Sequence, residues 1–160
     1  MFDPIILQKV PPASQSQQNE LPKVNLASLT SLNPLHGRVS AIHASSFFHL
    51  FDFERQSELA KVLAGLLSPQ PGSLIFGSHI ALPVKDILPI EDILPVEDIL
   101  PTHNGRHMSC HSPESWIELW DGMVYGKGEV KVNAILKSIE RKLGEEPHEE
   151  YILIWSVTRL

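Results

Sequence analysis

Residues 39–77 place an apolar strand, an amphipathic helix and a second apolar strand in that order, and this arrangement constrains the fold most. The first strand, at 39–44, is a nearly continuous apolar run, as expected for a strand covered on both faces. Asp52 is suited to cap the helix that follows, in which leucine and valine recur at helical spacing. Pro71 and Gly72 favour a tight turn before the second strand. The pattern predicts a β-α-β unit with parallel strands and a right-handed crossover.

Residues 1–38 are rich in proline, serine, glutamine and asparagine, and we interpret them as a connecting segment before a domain at 39–160. Within that domain, residues 86–103 contain three consecutive hexads, DILPIE, DILPVE and DILPTH. Proline can neither continue a helix nor donate a hydrogen bond inside a sheet. We therefore expect a hexad-repeat loop at the surface, with a partner-binding motif as the alternative.

The C-terminal part of the chain predicts one helix and two strands. Ser112 is a good helix cap, and Pro113 fits the first helical position. Residues 128–142 alternate between apolar and polar side chains, and residues 151–160 are rich in side chains typical of strands. These two strands pair most simply as an antiparallel hairpin across a polar connection at 144–150. The whole order predicts an α/β fold that ends in this hairpin.

Composition argues against several classes of partner. The chain has 160 residues and a net charge of −6, which disfavours nucleic acid as the main partner. No apolar run is long enough to span a membrane, and no signal-peptide pattern is visible at the N-terminus. The single cysteine, Cys110, excludes an internal disulfide and fits a reducing compartment. We expect a cytoplasmic protein with neither a nucleic-acid nor a membrane partner.

The carboxyl ends of the two parallel strands are the expected place for a small-molecule site. The polar residues at those ends are His43, Ser45, Ser46, His49, Ser78 and His79. A histidine at such an edge is suited to accept a proton, or it simply hydrogen-bonds to backbone groups. A serine there contacts a ligand or caps a helical turn.

A cluster of histidine and cysteine follows the hexads and also requires an interpretation. Its members are His103, His107, Cys110 and His111, all of residue types that bind zinc. The spacing would suit one face of a helix, but Pro101 and the Asn104-Gly105 pair indicate a loop instead. We therefore expect no metal site.

Three segments of the chain resemble a known family. They are AIHASSFFHLFDFERQSELAKVLAGLLSPQPGSLIFG, CHSPESWIELWDG and the terminal IWSVTRL. In order and spacing these segments are similar to the post-cofactor half of class I S-adenosylmethionine-dependent methyltransferases. The similarity is greatest to a fungal group whose members modify terpenoid and polyketide-derived metabolites.

The resemblance implies both a fold and a set of site residues. The family has a doubly wound sheet of strand order 3-2-1-4-5-7-6, and this chain matches the part 4-5-7-6. Four residues are implied as contacts of the methyl donor S-adenosylmethionine: Phe2, Asp3, Ser45 and Ser46. His49 is implied as the catalytic base, and His43 and His79 as contacts of a small-molecule acceptor.

The family's strands 1 to 3, with its glycine-rich turn and ribose-binding acid, have no match in this sequence. We therefore expect the chain to be inactive alone, although full-length relatives would act on secondary metabolites. Three alternatives remain: an enzyme completed by another chain, a non-catalytic interaction protein, and a remnant or incomplete gene model. The strand at 39–44 is expected to be exposed and to favour a homodimer or a complementing chain.

Overall fold

The computed structural model describes residues 12–14, 24–89, 107–143 and 146–160. Its strands and α-helices, in chain order, are β1 Ala41–His43, α1 Phe53–Leu66, β2 Leu74–Ile80, β3 Asp86–Pro89, β4 His107–Cys110, α2 Pro113–Trp120, β5 Val130–Leu143 and β6 Glu146–Arg159. Within those residues, no helix is both long enough and apolar enough to cross a membrane.

The main sheet of the described residues has four strands in the order β1-β2-β6-β5. β1 and β2 pair in parallel, with Ile42 opposite Ile75. β6 runs antiparallel to β2 on one side and to β5 on the other. The α/β class, the β-α-β unit and the C-terminal hairpin are therefore confirmed.

The hairpin is longer than the sequence predicts. β5 extends to residue 143 and β6 begins at residue 146, so the pairing continues through most of the predicted polar connection at 144–150. Backbone pairing does not depend on side-chain polarity, so a polar segment can continue the ladder of a hairpin. The alternation of apolar and polar side chains stops where the apolar segment stops. The backbone pairing of β5 with β6 continues beyond that point.

Helix α1 is capped as predicted, because the Asp52 side chain accepts a backbone N–H three residues later at 2.8 Å. The face that it buries is centred on Ala60 and Ala64, both fully buried. Leu59 and Leu63 are half-buried and pack at the margin of the core. Small residues at the centre let the helix approach the sheet closely, so the predicted leucine stripe lies partly to one side of the interface.

Helix α2 also begins as predicted. Ser112 and Ser115 form a reciprocal capping box, with Pro113 in the first turn. Trp116 and Trp120 are fully buried against the sheet. Trp116 lies 5.0 Å from the ring of Trp155 on β6, measured between centroids. Trp116 and Trp120 share one face of α2, and together with Trp155 they form the centre of an aromatic core.

The prediction of a loop over residues 86–103 is wrong for its first four residues. Asp86–Pro89 forms strand β3, which pairs antiparallel with His107–Cys110. A two-stranded sheet consists only of edges, where proline is tolerated because its missing N–H need not pair. Met108 and Cys110 anchor this small sheet in a second apolar cluster with Ile80 and Leu82. Residues 90–103 lie outside the described residues.

Helices α1 and α2 pack on the same face of the main sheet, the face that carries Ile75, Leu153 and Trp155. Strand alternation places Phe76, Ile135 and Ile154 on the opposite face. Those three side chains are exposed. Among the described residues, no helix covers this second face.

Candidate functional site

A cavity of about 310 Å³ lies where β1 and β2 end. Its polar lining residues are Ser46, His49, Ser78, His79 and Glu150, and its apolar lining residues are Leu50, Ile80, Met108, Ile139 and Ile152. Carboxyl ends of neighbouring parallel strands meet at one edge of a sheet, which is the usual position of a small-molecule site in α/β proteins. Three of the residues implied by the resemblance, Ser46, His49 and His79, are brought together here.

The backbone at this edge is held tightly. A Cβ on Gly77 would lie 2.3 Å from the carbonyl oxygen of Ala44, so only glycine fits at that position of β2. Ser46 has a φ of 50°, in the left-handed region, and its N–H donates to the carbonyl of Ser78 at 2.7 Å. Such a conformation in a non-glycine residue is uncommon and often marks a functional site.

His43 and Ser45 lie beside the cavity and do not line it. Ser45 Oγ accepts the backbone N–H of Ser78 at 3.1 Å and lies 2.8 Å from His43 Nε2, at hydrogen-bond distance. The His43 ring packs against Phe76 at 5.0 Å between centroids. Ser45 therefore joins the ends of β1 and β2. The predicted roles of both residues in binding stay predictions, and Phe2 and Asp3 lie outside the described residues.

His79 is the most deeply buried histidine of the cavity, at 3% exposure. Trp155 Nε1 donates to its Nδ1 at 2.9 Å. Burial, followed by the nearby His49 and His111, lowers the pKa of His79 to about 3. The ring is therefore neutral at physiological pH.

His49, the predicted catalytic base, is half-buried and lines the same cavity. Its Nδ1 is buried and has no hydrogen-bond partner among the described residues. Burial lowers the pKa of His49, which keeps the imidazole neutral and able to accept a proton. The centroids of the His49 and His79 rings are 6.4 Å apart, which exceeds the reach of a direct hydrogen bond between them.

The sequence analysis does not predict six of the lining residues: Leu50, Ile80, Met108, Ile139, Glu150 and Ile152. Glu150 is buried to 6% exposure, although it falls in the predicted polar connection. It precedes Ile152 by two positions on β6, so the alternation of that strand, extended by one residue, would have placed both on one face. The sequence around Met108 predicts a loop, whereas the segment forms β4 and Met108 lines the cavity.

The histidine and cysteine residues after the hexads have other surroundings. Cys110 is buried, and burial followed by the charge of Asp86 raises the pKa of its thiol to about 12. His111 Nδ1 lies 2.8 Å from Ser115 Oγ, at hydrogen-bond distance. Within the described part of the chain, no group of three or more potential ligands is placed to hold a metal ion.

The fold is mixed α/β with a cavity at the ends of β1 and β2, and comparison with known proteins narrows the class of protein. No family model matches the chain. It is 46% identical over 48 residues to O-methyltransferase phiE of a fungal species, covering 30% of this chain and 16% of phiE. It is 44% identical over 50 residues to Asnovolin E/Chermesin D methyltransferase nvfJ of Aspergillus novofumigatus, covering 31% and 18%.

A longer match is to methyltransferase ausD of Aspergillus calidoustus, with 29% identity over 87 residues, covering 54% of this chain and 27% of ausD. The chain therefore spans roughly a quarter or less of the length of these curated relatives. The predicted resemblance to fungal methyltransferases is confirmed over part of the chain.

Proposed function

We propose that this chain forms the acceptor-binding side of a small-metabolite methyltransferase that uses S-adenosylmethionine. The observation that carries the proposal is the cavity at the ends of β1 and β2, in which His49 and His79 lie together. In this proposal β1, β2, β6 and β5 correspond to the fourth, fifth, seventh and sixth strands of the family sheet. The similarity to fungal methyltransferases supports this assignment.

In this proposal the chain itself has to supply little of the chemistry of methyl transfer. S-adenosylmethionine, when bound, supplies an already activated methyl group, so the protein mainly aligns the acceptor and excludes water. His49 is neutral and partly buried, which suits it to take the proton of a hydroxyl acceptor. The apolar wall, which includes Met108 and Ile152, would hold the body of the acceptor.

The described residues do not by themselves make a site for the methyl donor. Of the predicted donor contacts among them, Ser46 lines the cavity, whereas the Ser45 hydroxyl is engaged by Ser78 and His43. We propose that the chain alone binds the donor weakly and is inactive.

The same proposal assigns a role to the outer edge of β1. β1 pairs with β2 on one side, and no strand of the described residues pairs with it on the other. An open strand edge is a template for another strand. We propose that a complementing chain or a second copy adds to this edge and completes the site.

The test combines a binding measurement with an activity measurement. Calorimetric titration of the purified chain with S-adenosylhomocysteine should give weak binding or none. The chain would then be mixed with the part of nvfJ that precedes its matched segment and assayed for transfer of a radiolabelled methyl group into a fungal metabolite extract. Transfer should need both proteins and should fall at least tenfold in His49→Gln, as expected for loss of a catalytic base. The exposed His107→Gln is the matched control.

Two results would contradict the proposal. Micromolar binding of S-adenosylhomocysteine by a verified monomer would disprove the statement that the chain alone lacks the donor site. A complex that sediments as one species but transfers no methyl group would disprove the assignment as a methyltransferase.

A non-catalytic interaction protein is the second candidate, and one observation favours it. Phe76, Ile135 and Ile154 form an exposed apolar patch on the uncovered sheet face. Exposed patches of this kind mark interaction surfaces. A complex that forms through this face, with His49→Gln leaving every measured property unchanged, would favour this candidate.

A further inference from the structure

The uncovered face of the main sheet carries a continuous apolar patch. In the strand register, Ile135 of β5 lies opposite Ile154 of β6, which lies opposite Ser78 of β2. Phe76, two residues before Ser78, shares this face by strand alternation. The side chains of Ile135, Ile154 and Phe76 are exposed. Apolar surface in contact with water is unfavourable, and such patches mark docking surfaces.

The charges beside this patch indicate the kind of occupant. β5 contributes two charged side chains to the same face, Lys131 and Lys137, which lie on either side of Ile135. Both lysines are exposed, and neither forms an ion pair within the described part of the chain. They favour an acidic occupant. A second copy packed face to face would add two more lysines to the same interface, which is unfavourable.

The hexads leave the described part of the chain at the cavity end of this face. Met108 of β4 lines the cavity beside Ile80, a residue of the same face. Pro89 and His107 pair across β3 and β4, so the chain departs and returns next to Met108. Residues 90–106 between them have a contour length of about 55 Å. A segment of this length, held at both ends, can extend about 25 Å and return, which is enough to cross the patch.

The period of the hexads matches the spacing of the lysines. Lys131 and Lys137 are six positions apart on β5, or about 20 Å along a strand. Acidic pairs recur every six residues in the hexads, at Glu91-Asp92 and Glu97-Asp98. Six residues of extended or polyproline chain also span about 20 Å. With one acidic pair at each lysine, the apolar pair Ile93-Leu94 falls between them, over the patch.

We propose that the hexads dock on the uncovered face of their own chain, with their acidic pairs at Lys137 and Lys131 and an Ile-Leu pair on the apolar patch. Exposed ion pairs contribute little to stability, so the lysines set the register and the apolar contacts hold the segment. The hexads thereby compete with any partner that binds this face. The inference does not depend on methyl transfer, and either can fail while the other holds.

The first test is carbodiimide cross-linking of the intact 160-residue chain, which joins a lysine to a carboxylate in contact with it. Peptide mapping of the monomer fraction should show amide links from Lys131 and Lys137 to the hexad acids. Lys61, exposed on α1 beyond the opposite sheet face, is the control and should give severalfold fewer such links. Equal yields from Lys61, or links of the two β5 lysines to acids of residues 1–38 in place of the hexads, would overturn the proposal.

An equal mixture of unlabelled and ¹⁵N-labelled chains separates docking within one chain from docking between copies. Links within a chain should carry a single label. Links of mixed label would show that a second copy covers the face, and they would overturn the proposal.

The second test exchanges the charges and follows Nile red, a neutral dye that brightens on apolar surface. Lys131→Glu combined with Lys137→Glu should raise the emission severalfold, because the repelled hexads uncover the patch. Reversal of the acidic pairs in the same variant should restore the wild-type emission, which a loss of fold would not allow. This reversal consists of Glu91→Lys, Asp92→Lys, Glu97→Lys and Asp98→Lys.

The matched control is Lys61→Glu combined with Lys127→Glu, both at exposed positions outside this face, and it should leave the emission unchanged. Emission that does not rise when the β5 lysines are reversed, or that is not restored by reversing the hexad acids, would overturn the proposal.

Discussion

His43 and His79 lie at the carboxyl ends of neighbouring strands, yet their rings meet different surroundings. His43 pairs with Phe76 in the strand register and shares its exposed face. His79 is three residues further along β2, so alternation turns it to the covered face and against Trp155. The sequence identifies both as residues at strand ends, but it does not reveal the register that separates a surface imidazole from a buried one.

Gly77 offers a sharp test of the geometry at this edge. Its missing side chain leaves room for the Ala44 carbonyl, and an added Cβ would lie 2.3 Å from that oxygen. Gly77→Ala should therefore destabilise the chain by about 1–3 kcal/mol, as overpacking does elsewhere. Urea unfolding followed by circular dichroism measures the loss. Ser40→Ala, at an exposed position, is the control, and equal midpoints for the two variants would show that the strand ends are not closely packed.

At the scale of elements, the sequence predicts best where a local rule determines the structure. Both helices begin at the predicted caps, Asp52 and Ser112, because capping depends on a few neighbouring residues. Strand ends are predicted less well, since β6 begins five residues before the apolar run that signals it. β3 was missed because its pairing with β4 joins residues far apart in sequence. These two errors are the reason that the sequence does not predict Glu150 and Met108 as lining residues of the cavity.

The cap of α1 can be tested alone. The Asp52 side chain accepts a backbone N–H at 2.8 Å. Its ion pair with Arg55, at 3.9 Å between exposed side chains, should contribute little. We expect Asp52→Ala to lower the free energy of unfolding by about 1 kcal/mol and Asp52→Asn, which keeps the acceptor, to lower it by only a few tenths. Chemical denaturation measures both values. A similar loss of stability in the two variants would show that the charge of Asp52, and not its hydrogen bond, stabilises the helix.

At the scale of the whole molecule, the aromatic core contains three histidines whose pKa values are lowered, mainly by burial. Burial lowers the pKa of His49, and with neighbouring charges it lowers that of His79 to about 3 and that of His111 to about 4. All three rings lie near Trp116 or His79. The fold therefore requires these imidazoles to be neutral, and this requirement makes its stability depend on pH.

The sign of that dependence follows from proton binding. The unfolded histidines have an ordinary pKa near 6.5, so below that pH the unfolded chain binds more protons than the folded one. Stability should fall as the pH drops from 6.5 towards 4, by on the order of 2 kcal/mol by pH 5 for each of His79 and His111, and His49 contributes in the same direction. Urea midpoints between pH 7 and 5 measure this slope. His79→Phe should flatten it and the exposed His107→Phe should not, whereas an unchanged slope in His79→Phe would contradict the assignment.

The open edge of β1 is expected to recruit another strand. The Ser40 carbonyl and the Ala44 N–H point towards β2, so alternation directs the N–H of Ala41 away from the sheet. Ala41→Pro removes that outward donor without breaking a bond to β2, and proline is a known protection of strand edges. We expect the wild type to associate with rising concentration in sedimentation velocity, and Ala41→Pro to stay folded and monomeric. Ala41→Val keeps the donor and should associate as the wild type does. A wild type that remains monomeric at every concentration would show that β1 does not recruit a second copy, and would leave a complementing chain as the partner to be sought.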